Sequence, residues 1–462
     1  MTPLLAPEPL VFVDLETTGA NFARDRIIEI GLVEVDANGV REWSSLVNPD
    51  TSVSAFITGL TGIDTAMVSS APTFAQLAPL VREKLRGRLF IAHNARFDYG
   101  FLKGEFKRLG IDFRAPQLCT VKLSRQLFPE HHRHNLDSLL ERHAIVVEDR
   151  HRALVDARVL WHLWQRWHEM LPVGNLRDAV KAIVGRPDLP PQIDASAIDD
   201  LPEAPGAYAL YGDDGRLLLC KRCTNIRRQV FAQFAADKHA TPVVRNTWRI
   251  DWREAAGELG ARLAEIALAG ATCMNADELC AWQLTRPGDS RPELVYARDV
   301  DFAETSDLYG LYGSRREAVS ALRKLADAHR LCLNEIGIGS GKPGQACIGY
   351  QQKNCRGVCA GKESPALHGV RLMSALAKFK MNDWPFAGPV ALIESDAFGM
   401  REDYHLIDRW RHLGTVHDEA ALYELLEYRS NALFDADLYR VINKFVKAAK
   451  IRILRLPPTV RP

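Results

Sequence analysis

The sequence predicts an α/β fold with a mostly helical C-terminal region, and three observations predict it. Three strand-like runs come first: VFVDL, IIEIGLVEVD and WSSLVN, between residues 11 and 48. Helix-like stretches over 73–86 and 96–109 then flank a further strand, LFIAH, and another helix pattern runs from just after His151 to about residue 168. A proline-rich segment, RPDLPPQIDASAIDDLPEAPG, has little apolar content and reads as a linker into a second α/β unit that starts near Leu201.

On this reading the chain divides into residues 1–170, a linker over 171–200, a small α/β unit over 201–289 and a mostly helical region over 290–462. That agrees with the roughly three domains expected for 462 residues.

Composition narrows the function. Apolar residues make up 47%, enough for ordinary cores, and formal net charge is +1, so any nucleic-acid surface must be a local patch. No run is long and apolar enough to span a membrane. The N-terminus MTPLLAPEPL lacks the basic start of a signal peptide. Nine cysteines without an export signal argue against a disulfide framework. The expectation is a cytoplasmic protein with reduced thiols, some of them available to metal. The tail from residue 440 to 462 has seven Arg or Lys and no acid, which makes it a candidate phosphate-binding surface or a solvated basic end.

The chemistry begins in VFVDLETTG, residues 11–19. Strand side chains alternate faces, so Asp14 and Glu16 point the same way, roughly 7 Å apart along the strand. Two such carboxylates resist burial unless something positive joins them. HNARFD adds Asp98 at a strand end and helix start, and HRALVDA adds His151 and Asp156. Five residues on a helix turn through about 140°, so His151 is expected on a loop just before the helix that carries Asp156. Four hard oxygen ligands suit Mg²⁺ or Mn²⁺, and two such ions clamp a phosphodiester undergoing displacement. His151 is placed to take a proton from the attacking water. His93 reads as a local hydrogen-bonding residue.

These residues closely resemble the DEDDh exonucleases, the group that contains the proofreading epsilon subunit of bacterial DNA polymerase III. DLETTG, HNARFD and HRALVDA match the three motifs in order, within residues 8–168. The resemblance implies an RNase H-like fold and 3′→5′ removal of nucleotides from DNA, at single-stranded or nicked 3′ ends. It makes Asp14, Glu16, Asp98 and Asp156 metal ligands and His151 the general base. Thr17, Thr18 and Gly19 would approach the 3′-terminal nucleotide.

Residues 201–230 resemble the GIY-YIG nuclease domain of UvrC and Cho proteins. Gly206 and Tyr208 match the first motif, Asn225 anchors the alignment, and Glu265 matches the metal-binding Glu. Leu219 and Lys221 stand where the family has Tyr and Gly, and Gln229 stands where it has Arg. Arg would stabilise developing phosphate charge, which Gln cannot do. The unit is therefore expected to bind DNA through Lys221, Arg222, Arg227 and Arg228 rather than to cut it.

Cys332, Cys347, Cys355 and Cys359 gather near the C-terminus, and the segment through CAGKE to NDWPFAGP resembles UvrC and Cho proteins. That resemblance implies a [4Fe–4S] cluster; four thiolates equally suit Zn²⁺. The Cys220-x-x-Cys223 pair reads as incidental.

Together these readings predict a metal-dependent 3′→5′ DNA exonuclease of repair or replication, fused to a UvrC/Cho-like half that serves DNA binding. Two alternatives use the same residues. One is a bifunctional excinuclease whose GIY-YIG half also incises, the other a proofreading subunit partnered by a DNA polymerase. Repair proteins are expected as further partners; a membrane is not.

Overall fold

The computed structural model describes residues 9–147, 151–199, 201–235, 241–270, 277–286, 289–341, 345–427 and 433–457. It divides into two compact units, Met1–Gly257 with Ser395–Glu402, and Glu258–Glu394 with Asp403–Pro462. Among the described residues no helix is long and apolar enough to cross a membrane.

The first unit opens with β1 (Leu10–Thr17), β2 (Ile27–Asp36) and β3 (Gly39–Leu46), followed by the short helices α1 (Ala55–Thr61) and α2 (Thr65–Ser69). Then come α3 (Phe74–Leu85), β4 (Leu89–Ala92), α4 (Arg96–Arg108), β5 (Gln117–Cys119), α5 (Thr120–Leu127) and α6 (Leu136–His143). The long α7 (Ala153–Met170) and α8 (Val173–Val184) close this part. The sheet order is β3-β2-β1-β4-β5. β1 runs antiparallel to β2 and parallel to β4.

β1 is the central strand and is covered on both faces, which explains its unbroken apolar run. Val11 and Val13 pack with Phe90, Phe101 and Phe106. Leu10 and Phe12 pack on the opposite face with Trp161, Trp164 and Trp167 of α7. By alternation Asp14 and Glu16 continue the α7 face. This is the RNase H-like α/β arrangement that the motifs imply.

The stretch read as a linker over 171–200 is partly structured. α8 buries Leu176 and Ala179 in the same core as α7, with Val180 and Ile183 packed against it. Leu176, Val180 and Ile183 recur at i, i+4 and i+7, a one-sided apolar stripe that the later prolines do not disturb.

The small second sheet of this unit has the order β7-β6-β8, from β6 (Gly206–Tyr211), β7 (Leu217–Cys223) and β8 (Arg249–Glu254). α9 (Ile226–Gln233) and α10 (Pro242–Arg245) lie between β7 and β8 in the chain.

The remaining chain contains α11 (Glu258–Ala269), β9 (Cys280–Gln283), β10 (Glu293–Tyr296), β11 (Leu308–Tyr312), α12 (Arg315–His329), α13 (Ile348–Gln351) and α14 (Pro365–Leu376). It continues with β12 (Val390–Ser395), β13 (Glu402–Asp408), β14 (Arg411–Val416), α15 (Glu419–Glu427), α16 (Ala436–Ala448) and β15 (Arg452–Arg455). The strands form sheets of order β10-β9-β11 and β14-β13-β12-β15. The α/β class stands, but the C-terminal region is not mostly helical. Its strands are four to seven residues long, and β12 is buried along four successive positions. Such a run shows no period of two, so periodicity cannot separate it from helix.

Candidate functional site

The structure brings Asp14, Glu16 and Asp156 together. One carboxylate oxygen from each lies within 4.8 Å of the others. Asp14 and Glu16 are half-buried, whereas Asp156 is buried. Asp98 stands outside that triad but next to it. It is 3% exposed in the first turn of α4, and its carboxyl is pushed well above the usual range by burial, opposed by the Leu15 backbone N–H and reinforced by the charge of Glu16. A proton on Asp98 is what a buried acid beside another acid requires without a cation. Crowded oxygen donors of this kind fit a hard divalent ion, which would replace the proton and offset the repulsion.

The start of α7 is clamped onto the sheet through Gly31 and Glu29, which the motifs do not include. Asp14 pairs across the ladder with Gly31, and Glu16 with Glu29. A Cβ on Gly31 would meet the Ala153 carbonyl carbon at 2.2 Å and the Leu154 nitrogen at 2.3 Å. Only glycine lets the helix end descend this far. Glu29 is buried, and its carboxylate accepts bonds from Arg152 Nη2 (2.6 Å) and Nε (3.1 Å) and from the Ala153 backbone N–H (2.9 Å). The strand thus supplies the N-terminal anion that a helix favours. His151 lies just before the helix, exposed, with φ of 66°. A left-handed conformation is uncommon for a residue other than glycine, although histidine adopts it more often than most.

Thr17, Thr18 and Gly19 form a fixed arc. Thr17 Oγ1 donates to the Gly19 carbonyl (2.6 Å), and the Thr18 backbone N–H donates to the Arg26 carbonyl (2.9 Å). The Asp25 carboxylate fills the place of a Gly19 Cβ, with an oxygen 2.5 Å from it. His93 bonds Thr120 through Nδ1 (2.9 Å). Arg96, between His93 and Asp98, pairs with Glu254 at the end of β8 (3.4 Å).

The GIY-YIG positions fall differently. Tyr208 is wholly buried beside Gln229, and burial pushes its phenol up to about 12. Such a group keeps its proton at neutral pH. Asn225 caps α9, accepting the Arg228 backbone N–H at 2.8 Å. Glu265 sits half-buried on α11. Lys221, Arg222 and Arg228 are exposed. Arg227 instead turns inward, reaching toward the Ile198 and Asp199 carbonyls (3.4 and 3.5 Å) and covering the Phe231 ring, because its long stem packs on apolar surface. Cys220 and Cys223 sit three apart on β7, hence on opposite faces.

The four C-terminal cysteines converge. Their sulfurs lie within 4.8 Å of one another, with Cys332–Cys347 at 3.8 Å and Cys355–Cys359 at 4.0 Å. These separations are twice a disulfide bond. Backbone N–H groups of Cys347, Tyr350 and Gly357 point at the sulfurs of Cys359, Cys347 and Cys355 (3.3–3.4 Å). Burial pushes the Cys355 thiol up to about 11, and that of Cys332 higher still. The Cys347 thiol is held below its ordinary value, burial being outweighed by the Tyr350 N–H and the neighbouring sulfurs. Four buried sulfurs packed together and facing N–H donors fit a metal that takes the place of the protons.

Family models match three parts of the chain. Exonuclease covers residues 11–163, the UvrC/Cho excinuclease middle domain covers 279–378, and the excinuclease Cho C-terminal domain covers 389–460. Excinuclease cho of Escherichia coli (strain K12) is 34% identical over 271 residues, spanning 57% of this chain and 89% of that protein. The chain belongs to the Cho excinuclease family. This Cho-family protein is a nuclease with an added exonuclease domain at its N-terminal side. A DNA polymerase III of PolC type from Caldanaerobacter subterraneus is 37% identical over 162 residues, 35% of this chain and 12% of that one. A solved structure of exonuclease X in complex with 5′ overhanging duplex DNA covers 37% of the Cho-family chain and 99% of its own, at 25% identity and a TM-score of 0.31.

Proposed function

We propose that this protein is a DNA-repair nuclease whose N-terminal domain removes nucleotides from DNA 3′ ends with two Mg²⁺ or Mn²⁺ ions, while its Cho-like half binds DNA. The observation that carries the reading is the convergence of Asp14, Glu16 and Asp156 within 4.8 Å, with Asp98 held beside Glu16. These four carboxylates hold the metal. When bound, the ions place positive charge on the scissile phosphate and acidify the attacking water. His151 takes the proton of that water from its exposed position at the head of α7. The arc of Thr17 to Gly19 seats the terminal nucleotide without having to rearrange.

The test uses 5′-labelled single-stranded and nicked duplex DNA with Mn²⁺ or Mg²⁺. A ladder shortening from the 3′ end, lost on chelation, is expected; digestion from the 5′ end would overturn the direction.

One second reading has a specific observation in its favour. The likeness to excinuclease cho spans 89% of that protein, so incision by the Cho-like half is its natural counterpart. Against it stand Leu219, Lys221 and Gln229 at positions of lost chemistry. Glu265→Ala is expected to leave 3′ trimming within about twofold of the parent, because Glu265 belongs to none of the three exonuclease motifs. Internal cuts that vanish in Glu265→Ala would establish the second reading.

The four cysteines hold a metal group. Thiolates bound at about 2.3 Å around one tetrahedral ion lie roughly 3.8 Å apart, which suits the observed spacing and Zn²⁺. The likeness to UvrC implies a [4Fe–4S] cluster. Metal analysis and visible absorption separate the two. Cys355→Ser is expected to release the metal and lower the melting temperature by about 5–10 °C. An unchanged melting temperature and metal content would remove the metal from the reading.

A further inference from the structure

Ser395–Glu402, the turn that joins β12 to β13, belongs to the first unit, together with the acids of the N-terminal site. It lies within the stretch matched by the excinuclease Cho C-terminal domain. Asp396 shapes this turn. Its side chain is 4% exposed, and Oδ1 accepts the backbone N–H groups of Met400 (2.8 Å), Phe398 (3.3 Å) and Arg401 (3.3 Å). A short acid that collects turn amides in this way fixes the local backbone.

The turn grips two segments that lead to the metal-site acids. One is α4, which starts at Ala95 without a side-chain cap. The other oxygen of Asp396, Oδ2, lies 3.2 Å from Nη2 of Arg96, the first residue of that helix. Two residues of helix turn through about 200°, so Arg96 reaches the turn from the side opposite Asp98. The same Nη2 lies 3.4 Å from Glu254, whose carbonyl accepts a bond from Arg401 Nη2 (3.1 Å). The second segment follows the arc of Thr17 to Gly19. There the Phe22 backbone N–H donates to the Met400 carbonyl (3.0 Å). The Phe22 ring meets Phe101 of α4 edge-on, with centres 5.2 Å apart, and lies 2.6 Å from where a Gly100 Cβ would be.

We propose that Asp396 is a positioning residue for the exonuclease site: through Arg96 it holds the head of α4, and with it Asp98, in place for metal. The proposal rests on the reading of Asp98 as a metal ligand. Asp396 touches neither metal nor DNA in this account. One of its oxygens is spent on the turn amides and the other faces the guanidinium. A buried carboxylate so placed is costly to leave unpaired, so the turn and the helix head stay together. Partners that hold a metal ligand from behind typically set about tenfold to a hundredfold in metal affinity or activity. A turn of Cho-type sequence thereby becomes a working part of the N-terminal site.

The test measures Mn²⁺ binding to the full chain by loss of the free-ion electron paramagnetic resonance signal, and beside it kcat and KM for trimming a 5′-labelled single strand. Arg96→Gln and Asp396→Asn each remove one charge of the pair, and asparagine leaves an oxygen for the turn amides. Each is expected to weaken Mn²⁺ binding about tenfold and to lower kcat by a similar factor, with KM for DNA little changed. The double variant is expected to lose about tenfold as well, not a hundredfold, because both changes act through one contact. Phe398→Ala, at the exposed tip of the turn, is expected to match the parent. Parent-like Mn²⁺ affinity in Asp396→Asn overturns the proposal, since a residue that only stabilises the fold would lower the melting temperature and nothing else. Losses that multiply in the double variant overturn action through Arg96. A loss of kcat in Phe398→Ala equal to that in Asp396→Asn would mean that the turn meets the DNA itself, and overturns positioning. Asp14→Asn tests the underlying reading separately: if it binds Mn²⁺ as tightly as the parent, the metal site is wrong and the proposal falls with it. Weakened binding there, with none in Asp396→Asn, overturns the proposal alone.

Discussion

Asp14→Asn is expected to lower 3′→5′ hydrolysis about a thousandfold or more, roughly 4 kcal/mol of transition-state stabilisation, while the chain stays folded. The substitution keeps the shape of the side chain and removes one charge. That charge is costly in the free protein, where Asp14, Glu16 and Asp156 crowd within 4.8 Å and Asp98 is pushed toward its neutral form beside them. Relief of the repulsion is expected to raise the metal-free melting temperature by about 1–3 °C. The same loss removes the site's hold on cations, so Mn²⁺ should stabilise the parent chain and leave the variant unmoved. Stability and activity therefore move in opposite directions, which a purely structural acid would not produce. Single-turnover hydrolysis and thermal unfolding with and without Mn²⁺ read both quantities. Activity within tenfold of the parent, or an undiminished Mn²⁺ response, would sink the metal-platform reading.

What is legible in the sequence is chemistry that breaks a pattern. Asp14 and Glu16 interrupt a buried strand, and a buried strand does not tolerate acids without a reason. Glu29 in IIEIG is a like case, an acid within a ten-residue strand buried along nine positions, but it belongs to no motif. The structure gives its reason in Arg152 and the Ala153 N–H. Gly31 is silent for a different cause. Glycine leaves no side chain to read, and its role appears only when α7 is seen lying on it. The strands of the C-terminal region are hidden because short buried runs carry no period. α8 is masked by the prolines that follow it. Arg227, which the sequence places in a DNA-binding cluster, is turned inward, since a charge count says nothing about where a long stem finds apolar surface.

Gly31→Ala is expected to cost about a hundredfold in hydrolysis although residue 31 touches no reacting atom. The added methyl would sit 2.2 Å from the Ala153 carbonyl carbon and 2.3 Å from the Leu154 nitrogen. Both are backbone atoms, so no side chain can rotate away, and the head of α7 must lift from the sheet. Overpacking of this kind costs about 1–3 kcal/mol, or roughly 3–10 °C in melting temperature for a unit of this size. The lift also carries Asp156 and His151 away from Asp14, which pairs with Gly31 itself. A displacement near 1 Å at reacting groups costs about a hundredfold. Glu29 and Arg152 oppose the lift, so Gly31→Ala combined with Glu29→Gln should lose more than the two separately, because both changes act on one helix end. Gly59→Ala supplies the contrast. It lies inside α1, where a Cβ meets nothing within 4 Å, and alanine there is expected to stabilise the chain by up to about 1 kcal/mol. Comparing the two variants in melting temperature and in trimming rate isolates the clash from the general effect of losing a glycine. If Gly31→Ala trims DNA as fast as Gly59→Ala does, the seating of α7 on β2 does not set the geometry of the acids.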